Sequence, residues 1–434
     1  MKRIILLAAV CLAAFLRAQA YSSIMANLVK GDYGGKADSL AFVLIEQFMN
    51  KSKGTFWSTP KDVKKESTYI YWQQAHAMDV LVYAYERHKG DDTGLASQYN
   101  LYMRSWYRNH ANNYSGGSTG FENPYTDDMC WICLTLMHMS EAMGVDTYAN
   151  TAKTVFNNSI MKRAVEDEKG LWLPWNNSAG AGPNACTVGP ACLLAAKLYL
   201  KYGDEKYLTY AEKFYTFMQN NICKSDGRVE EPPLTYTQGT FGEACRQLYH
   251  ITGKAIYKNK AALYINYAFT DGRCTSNGLL RDEGSSMDQS IFKAVLIPYA
   301  VNFCLDEEMT LSYRRNLTTL LQKNANSLWK NLDKDSYPAM FCPYYWGKAY
   351  DSSKTASMGA MASGASLMEN VTRLCIGLTT PDEENSIEIP YLPSRNVDTG
   401  IYSLDGQLIR RNADDREGLP GGLYIINNKK VILK

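Results

Sequence analysis

Apolar residues recur at i, i+3 and i+4 through most of residues 37–377, with few strand-like alternations. The periodicity predicts twelve helices, near 37–50, 69–88, 95–109, 127–143, 146–163, 184–202, 204–220, 237–252, 254–269, 287–304, 308–331 and 355–376. They fall in pairs joined alternately by short glycine-containing turns and longer polar, aromatic loops. The turns repeat. Gly144, Gly203 and Gly253 are each followed four residues on by a tyrosine (Tyr148, Tyr207, Tyr257) and eight on by an alanine (Ala152, Ala211, Ala261). Glycine there suits a left-handed helix end. Tyrosine and alanine one turn apart share a face of the next helix, and the small residue permits close packing. Spacings of 59 and 50 residues fit one helix pair per repeat. Six pairs close an (α/α)6 barrel, an all-α fold with inner helices apolar almost all round and outer helices amphipathic. An open solenoid is the alternative, and the long, varied central loops speak against it.

The pattern breaks after Gly377. Residues 379–399 read as a polar linker without periodicity. Gly400–Lys434 reads as a small β-rich tail, with a hairpin turning at Asp405-Gly406 and a second strand pair within Gly422–Leu433. At the other end, Met1-Lys2-Arg3, the apolar run Ile4–Leu16 and Ala18-Gln19-Ala20 have the form of a secretory signal peptide cut after Ala20. That run is too short for a bilayer span, which takes ~20 residues. The expected organisation is a signal peptide (1–20), a helical domain (21–378), a linker (379–399) and the tail (400–434). Export follows, to the medium, the cell surface or a periplasm, with no transmembrane segment.

Charge narrows the partners. With 46 basic and 44 acidic residues the net charge is +2, which gives no electrostatic footprint for nucleic acid. There are 31 tyrosines and eight tryptophans, flat rings that suit the faces of sugars and equally a core. The cysteines beyond Cys11 lie scattered in apolar helical patterns and read as small core residues, a disulfide framework being the alternative. Cys130-x-x-Cys133 is half a zinc site with no second pair at usable spacing, so no metal is assigned.

The candidate chemistry centres on Asp127 and Asp128, adjacent at the start of a predicted helix. Thr126 or Asp127 could simply be its N-cap, with acids favoured in the first turn by the macrodipole. Alternatively, two carboxyls ~5–5.5 Å apart flank a glycosidic bond in retaining glycosidases, one attacking the anomeric carbon while the other protonates the leaving oxygen. Around them, Trp72, Gln73, Gln74 and His76 crowd the start of a predicted inner helix. Tyr125, Trp172, Gln238, Asp288, Gln289, Tyr345 and Trp346 lie in loops or helix starts rich in aromatics, acids and amides. His76 can equally be a satisfied core residue, and Asp79, a turn deeper, reads as a buried partner. These loops precede alternate helices, so they meet at one end of a barrel.

Tyr125-Thr126-Asp127-Asp128-Met129-x-Trp131, with Glu141-x-x-Gly144 and the Tyr148/Ala152 pair after it, resembles glycoside hydrolase family 76, the endo-α-1,6-mannanases and related fungal wall enzymes. Trp72-Gln73-Gln74-Ala75-His76-Ala77-Met78-Asp79, Gly170-Leu171-Trp172, Asn184-Ala185-Cys186-Thr187-Val188-Gly189 and Tyr236-Thr237-Gln238-Gly239 are similar to further family blocks, in order. The resemblance covers roughly 37–377. It implies an (α/α)6 barrel, retaining cleavage of α-1,6-mannosidic links, no metal or organic cofactor, Asp127 as nucleophile and Asp128 as general acid/base. Val188 and Leu173 depart from the family's usual polar residue and tryptophan, which bears on subsite contacts. The tail resembles C-terminal sorting modules of type IX secretion. The expected partners are therefore an α-mannan polysaccharide or oligosaccharide and that secretion machinery, with the chain acting as a monomer. Rival expectations are a mannan-chain transglycosidase, which shares the first half-reaction, and a non-catalytic glycan-binding protein.

Overall fold

The computed structural model of the chain describes residues 31–60, 71–111, 120–230, 232–284, 286, 288–336, 339–379, 401–402, 408–410, 422–426 and 429–433. The expected signal peptide, Tyr69 and Ile70 at one predicted helix start, the linker beyond residue 379 and the Asp405-Gly406 turn lie outside them. Twelve α-helices occur among the described residues: α1 (Tyr33–Phe48), α2 (Tyr71–His88), α3 (Leu95–Ala111), α4 (Thr126–Met143), α5 (Asp146–Val155), α6 (Ala185–Tyr202), α7 (Glu205–Asn221), α8 (Thr235–Thr252), α9 (Ala255–Thr270), α10 (Phe292–Leu305), α11 (Leu311–Asn331) and α12 (Met358–Thr379). None is long and apolar enough to cross a membrane.

Burial separates two rings. In α4, 15 of 18 residues are buried, on every side of the helix. In α7 only Tyr207, Ala211, Phe214, Phe217 and Met218 are, one stripe at helical spacing. The even-numbered helices form the inner ring and the odd-numbered ones the outer, the (α/α)6 barrel that the repeat predicts. The glycine turns are as expected: Gly144, Gly203 and Gly253 have φ of 66°, 67° and 71°. Tyr148, Tyr207, Tyr257, Ala152, Ala211 and Ala261 are all buried. The alanines admit the inner ring's thiols, since Cys133 and Cys192 approach the main-chain oxygens of Ala152 and Ala211. No disulfide joins the cysteines among the described residues.

The sixth pair is made from both ends of the domain, for α12 packs against α1. Ions fasten this seam. Arg87 of α2 donates from Nε and a terminal nitrogen to both oxygens of Glu369 on α12, each at 2.8 Å, and to Asp38 of α1 at 2.6 Å. His88 reaches the same Asp38 oxygen at 2.8 Å.

Most helix ends differ from the periodicity by a few residues, and three departures have a structural reason or form. α1 begins four residues early, through the poor helix formers Gly34 and Gly35, because Tyr33 is buried and bonds Asn326 of α11. The run 146–163 is not uniform: α5 widens into a π turn at Phe156–Ile160 and tightens into a 3-10 turn at Met161–Arg163. A 3-10 turn, Gln289–Ile291, precedes α10. Pro298 inside α10 cannot donate to the Ala294 carbonyl one turn back. Ser366 of α12 donates there instead, at 3.3 Å.

The inner helices all begin at one end of the barrel, where the long loops lie, and short turns close the other. Three two-stranded ribbons stiffen the long loops: β1 (Met49–Asn50) with β2 (Thr55–Phe56), β3 (Val165–Asp167) with β4 (Gly170–Trp172), and β5 (Thr275–Ser276) with β6 (Leu279–Leu280). The tail is a separate unit. Its strands β7 (Ile401–Tyr402), β8 (Leu408–Arg410), β9 (Gly422–Ile426) and β10 (Lys429–Leu433) form an antiparallel sheet in the order β10-β9-β7-β8. Among the described residues β7 pairs with β8 and β9 with β10, and β7 and β9 lie side by side.

Candidate active site

The loop before α4 is laced down by its neighbours. Arg163 donates to the main-chain oxygens of Asn123 and Pro124 and to Thr126 Oγ1, at 2.7, 2.8 and 3.2 Å. Thr126 N donates to Trp175 O at 2.8 Å, and Asn177 N to Pro124 O at 3.0 Å. Tyr125 is the N-cap residue and no side chain caps the helix. The capping reading of Thr126 or Asp127 is thereby corrected: both already lie within the helix, and no side chain makes a cap hydrogen bond at its start.

Asp127 and Asp128 occupy the first turn, each only 9% exposed. Asp127 Oδ2 accepts from Trp175 Nε1 at 3.2 Å and lies 3.5 Å from Cys186 Sγ of α6, while Oδ1 is buried with no hydrogen-bond partner. Burial pushes the Asp127 carboxyl up, to about 6, against the pull of the Cys186 thiol, the main-chain N–H of Asp128 and the Trp175 indole. Asp128 is pushed well above the usual carboxylate range by burial and then by the charges of Asp127 and Asp288. Two adjacent acids thus have different surroundings.

Asp288 belongs to the same cluster, although it comes from the far side of the ring. Its Oδ1 accepts from Trp72 Nε1 at 2.7 Å and from Gln73 Nε2 at 3.2 Å. Trp72 heads an aromatic wall, with ring centroids 5.4 Å from His76, 5.9 Å from Phe292, 6.1 Å from Tyr236 and 6.5 Å from Trp131. His76 is wedged between Trp72 and Trp131, and burial lowers its pKa to about 4, so it is neutral near pH 7. Tyr125 and Trp175, 42% and 43% exposed with rings 5.2 Å apart, form an open aromatic pair beside Asp127. The structure therefore brings together Asp127, Asp128, Trp72, Gln73, His76, Tyr125 and Asp288.

Other expected sugar contacts are engaged elsewhere. Gln74 bonds both main-chain groups of Phe56, each at 2.8 Å, and holds β2. Gln238 is fully buried and serves Val229 N, Gly227 O and Tyr264 O. Trp172 bonds Asp167 of its own ribbon at 3.1 Å; its neighbour Trp175 is the indole that reaches Asp127. Gln289 turns back on Ser286 N at 3.3 Å. Trp346 is fully buried, with the Lys293 ammonium 5.3 Å from its ring, and Tyr345 folds over Gly347. A polar or aromatic side chain at a helix start looks the same in sequence whether it faces the lumen or clamps the next loop.

Sequence reasoning missed Trp175, Cys186, Tyr236 and Glu230. Tyr236 shares a hydrogen bond with the Cys186 thiol, and Glu230 accepts from the Ala185 main chain at the start of α6. Burial raises the Glu230 carboxyl to about 7. Cys186 and Tyr236 stood inside blocks already singled out, and Trp175 lies three residues beyond another. Nothing marked Glu230, which lies in an aperiodic loop.

A closed ring of helix pairs, with two buried acids and a wall of aromatic rings at the long-loop end, is the make-up of a barrel glycosidase. The chain belongs to glycosyl hydrolase family 76, whose pattern matches residues 35–375. Among solved structures, an α-1,6-mannanase from Salegentibacter sp. HEL1_6 superposes with a TM-score of 0.69 at 24% identity, over 79% of this chain and 100% of its own. A protein of Listeria innocua gives 0.68 at 22%, over 79% and 97%. A family 76 mannosidase from Bacteroides thetaiotaomicron gives 0.65 at 15%, over 79% and 98%. At such identities the likeness speaks for the fold. No curated protein matches the chain.

Proposed function

We propose that the chain is a retaining, endo-acting hydrolase of α-1,6-mannosidic bonds in mannan backbones, with Asp127 as nucleophile and Asp128 as general acid/base. The observation that carries this is the unequal furnishing of the pair. Donors on Asp127 favour its ionised form, while burial and two neighbouring charges favour the protonated form of Asp128. Asp127 attacks the anomeric carbon as Asp128 gives its proton to the departing oxygen. Water, deprotonated by Asp128, then releases the sugar from the ester with its configuration retained. Trp72 and the Tyr125–Trp175 pair offer ring faces to the sugars, and Asp288 with Gln73 offers polar contacts. Two structural neighbours support the substrate: inactive variants of the Salegentibacter enzyme, substituted at two adjacent aspartates, are complexed with α-1,6-mannotriose and an α-1,6-mannotetraose. Export through residues 1–20, sorting through 400–434 and a monomeric state complete the proposal.

The test is incubation with linear α-1,6-mannan. An endo enzyme gives an early ladder of oligosaccharides whose new reducing ends are first α. Asp127→Asn and Asp128→Asn should each lower the rate by about a thousandfold or more with melting behaviour preserved. Full activity in either variant sinks the role assignment. Lengthened chains would point to a transglycosidase, and tight binding without new reducing ends to a glycan-binding protein.

A further inference from the structure

The two oxygens of Asp127 are unlike each other. Oδ2 has the Trp175 indole at 3.2 Å and the Cys186 thiol at 3.5 Å; Oδ1 is buried with no hydrogen-bond partner. Cys186 is itself held in place. Its Sγ lies 3.2 Å from Asn184 Oδ1, and that oxygen accepts from Thr187 N at 2.9 Å in the first turn of α6. The thiol has one proton for two acceptors, and an ionised carboxylate, Asp127, draws it more strongly than the neutral amide oxygen of Asn184. Taking Asp127 as the nucleophile, we propose that Cys186 is a positioning residue that pins Oδ2 together with Trp175, leaving Oδ1 as the oxygen that bonds to the anomeric carbon.

Two donors on one oxygen stop the carboxylate from turning about its Cβ–Cγ bond and leave the lone pairs of the other undiluted. In the first step an Oδ1 lone pair forms the bond to the anomeric carbon. The bond to the leaving oxygen breaks, and its electron pair takes the proton from Asp128. Oδ2 becomes the ester carbonyl, still facing Trp175 and Cys186. When water displaces Oδ1, charge returns to a carboxylate whose orientation never changed. A thiol is a weak donor, so it orients Asp127 while taking little from its nucleophilicity. Around this contact stand Asp128 on the same helix, Tyr236 of α8 and Glu230, with Asp288 acting through Asp128.

Cys186→Ala and Cys186→Val both lack the donor, and whichever melts near the wild type carries the test. On α-1,6-mannan, kcat should fall about 10–100-fold with KM little changed. The acid limb of the pH profile should move upward, because the ionised carboxylate has lost a donor. Cys186→Ser should restore the limb and most of kcat. Trapping the ester with a fluorinated, activated mannosyl donor and solving its structure should show the bond on the oxygen that faces neither Trp175 nor Cys186. Wild-type kcat and pH limb in both donor-free variants, or an ester on the oxygen facing the thiol, overturns the inference alone. A wild-type chain that makes no covalent adduct and releases nothing from mannan overturns the proposed function and this inference with it.

Discussion

The acid pair works against the fold that holds it. Both carboxyls are raised in the folded chain above the ~3.9 of an exposed aspartate. A raised carboxyl binds more protons folded than unfolded, so its contribution to stability is full below the unfolded value and is lost as pH climbs through the folded one. Asp128→Asn keeps the shape and removes the charge. At about pH 7.5 it should raise Tm by about 2 °C or more, and the gain should close as pH falls toward about 4. A lower Tm for the variant at the higher pH would contradict this. Under the proposed roles the same shifts give the activity two limbs: Asp127 attacks as the carboxylate, so the rate should fall in acid, and Asp128 assists as the acid, so it should fall in alkali. The pair was legible in the sequence because adjacency and a helix start are local facts. Gln74, Gln238 and Trp346 were misplaced because the direction of a side chain is set by helices that arrive from elsewhere in the chain.

Among the elements, α8 shows what close approach requires. A Cβ on Gly239 would lie 2.8 Å from Leu296 Cα of α10, and one on Gly242 would lie 2.5 Å from Ile265 Cγ1 of α9. The first obstacle is backbone and cannot swing aside. Gly239→Ala should therefore destabilise the domain by about 1–3 kcal/mol, although alanine is the better helix former; a variant as stable as the wild type by denaturant titration would show that the two helices have room to part. The twelve helices were legible because their period is written in each segment. The early start of α1 and the π turn after α5 were not, since Tyr33 and Asn157 take their partners from distant helices: Asn326 for the first, the Tyr207 hydroxyl for the second.

For the whole molecule, the deciding seam is where α1 meets α12. Glu369 is almost fully buried and its charge is met by Arg87. Removing one partner of a buried pair strands the other, so Arg87→Ala should lower stability by about 3–5 kcal/mol, read as a drop in the denaturant midpoint. A loss under about 1 kcal/mol would mean that Asp38, His88 or water replaces the guanidinium. The barrel class itself was legible from the count of six pairs and the glycine repeat. That the sixth pair joins the two ends of the domain was not, because no local pattern says which helix waits for which.

That seam has a kinetic consequence. Arg87 and Glu369 are separated by 282 positions, so five pairs can assemble as neighbours in sequence while the sixth must wait for the last helix. The thermodynamic toll of closing so long a loop grows only logarithmically with its length, but contacts between remote positions slow folding. Until α12 arrives, α1 lacks its main packing partner, and the open ring presents apolar inner helices to solvent, the state in which such a chain is most exposed to misassembly or proteolysis. The ring's vulnerability is a matter of time.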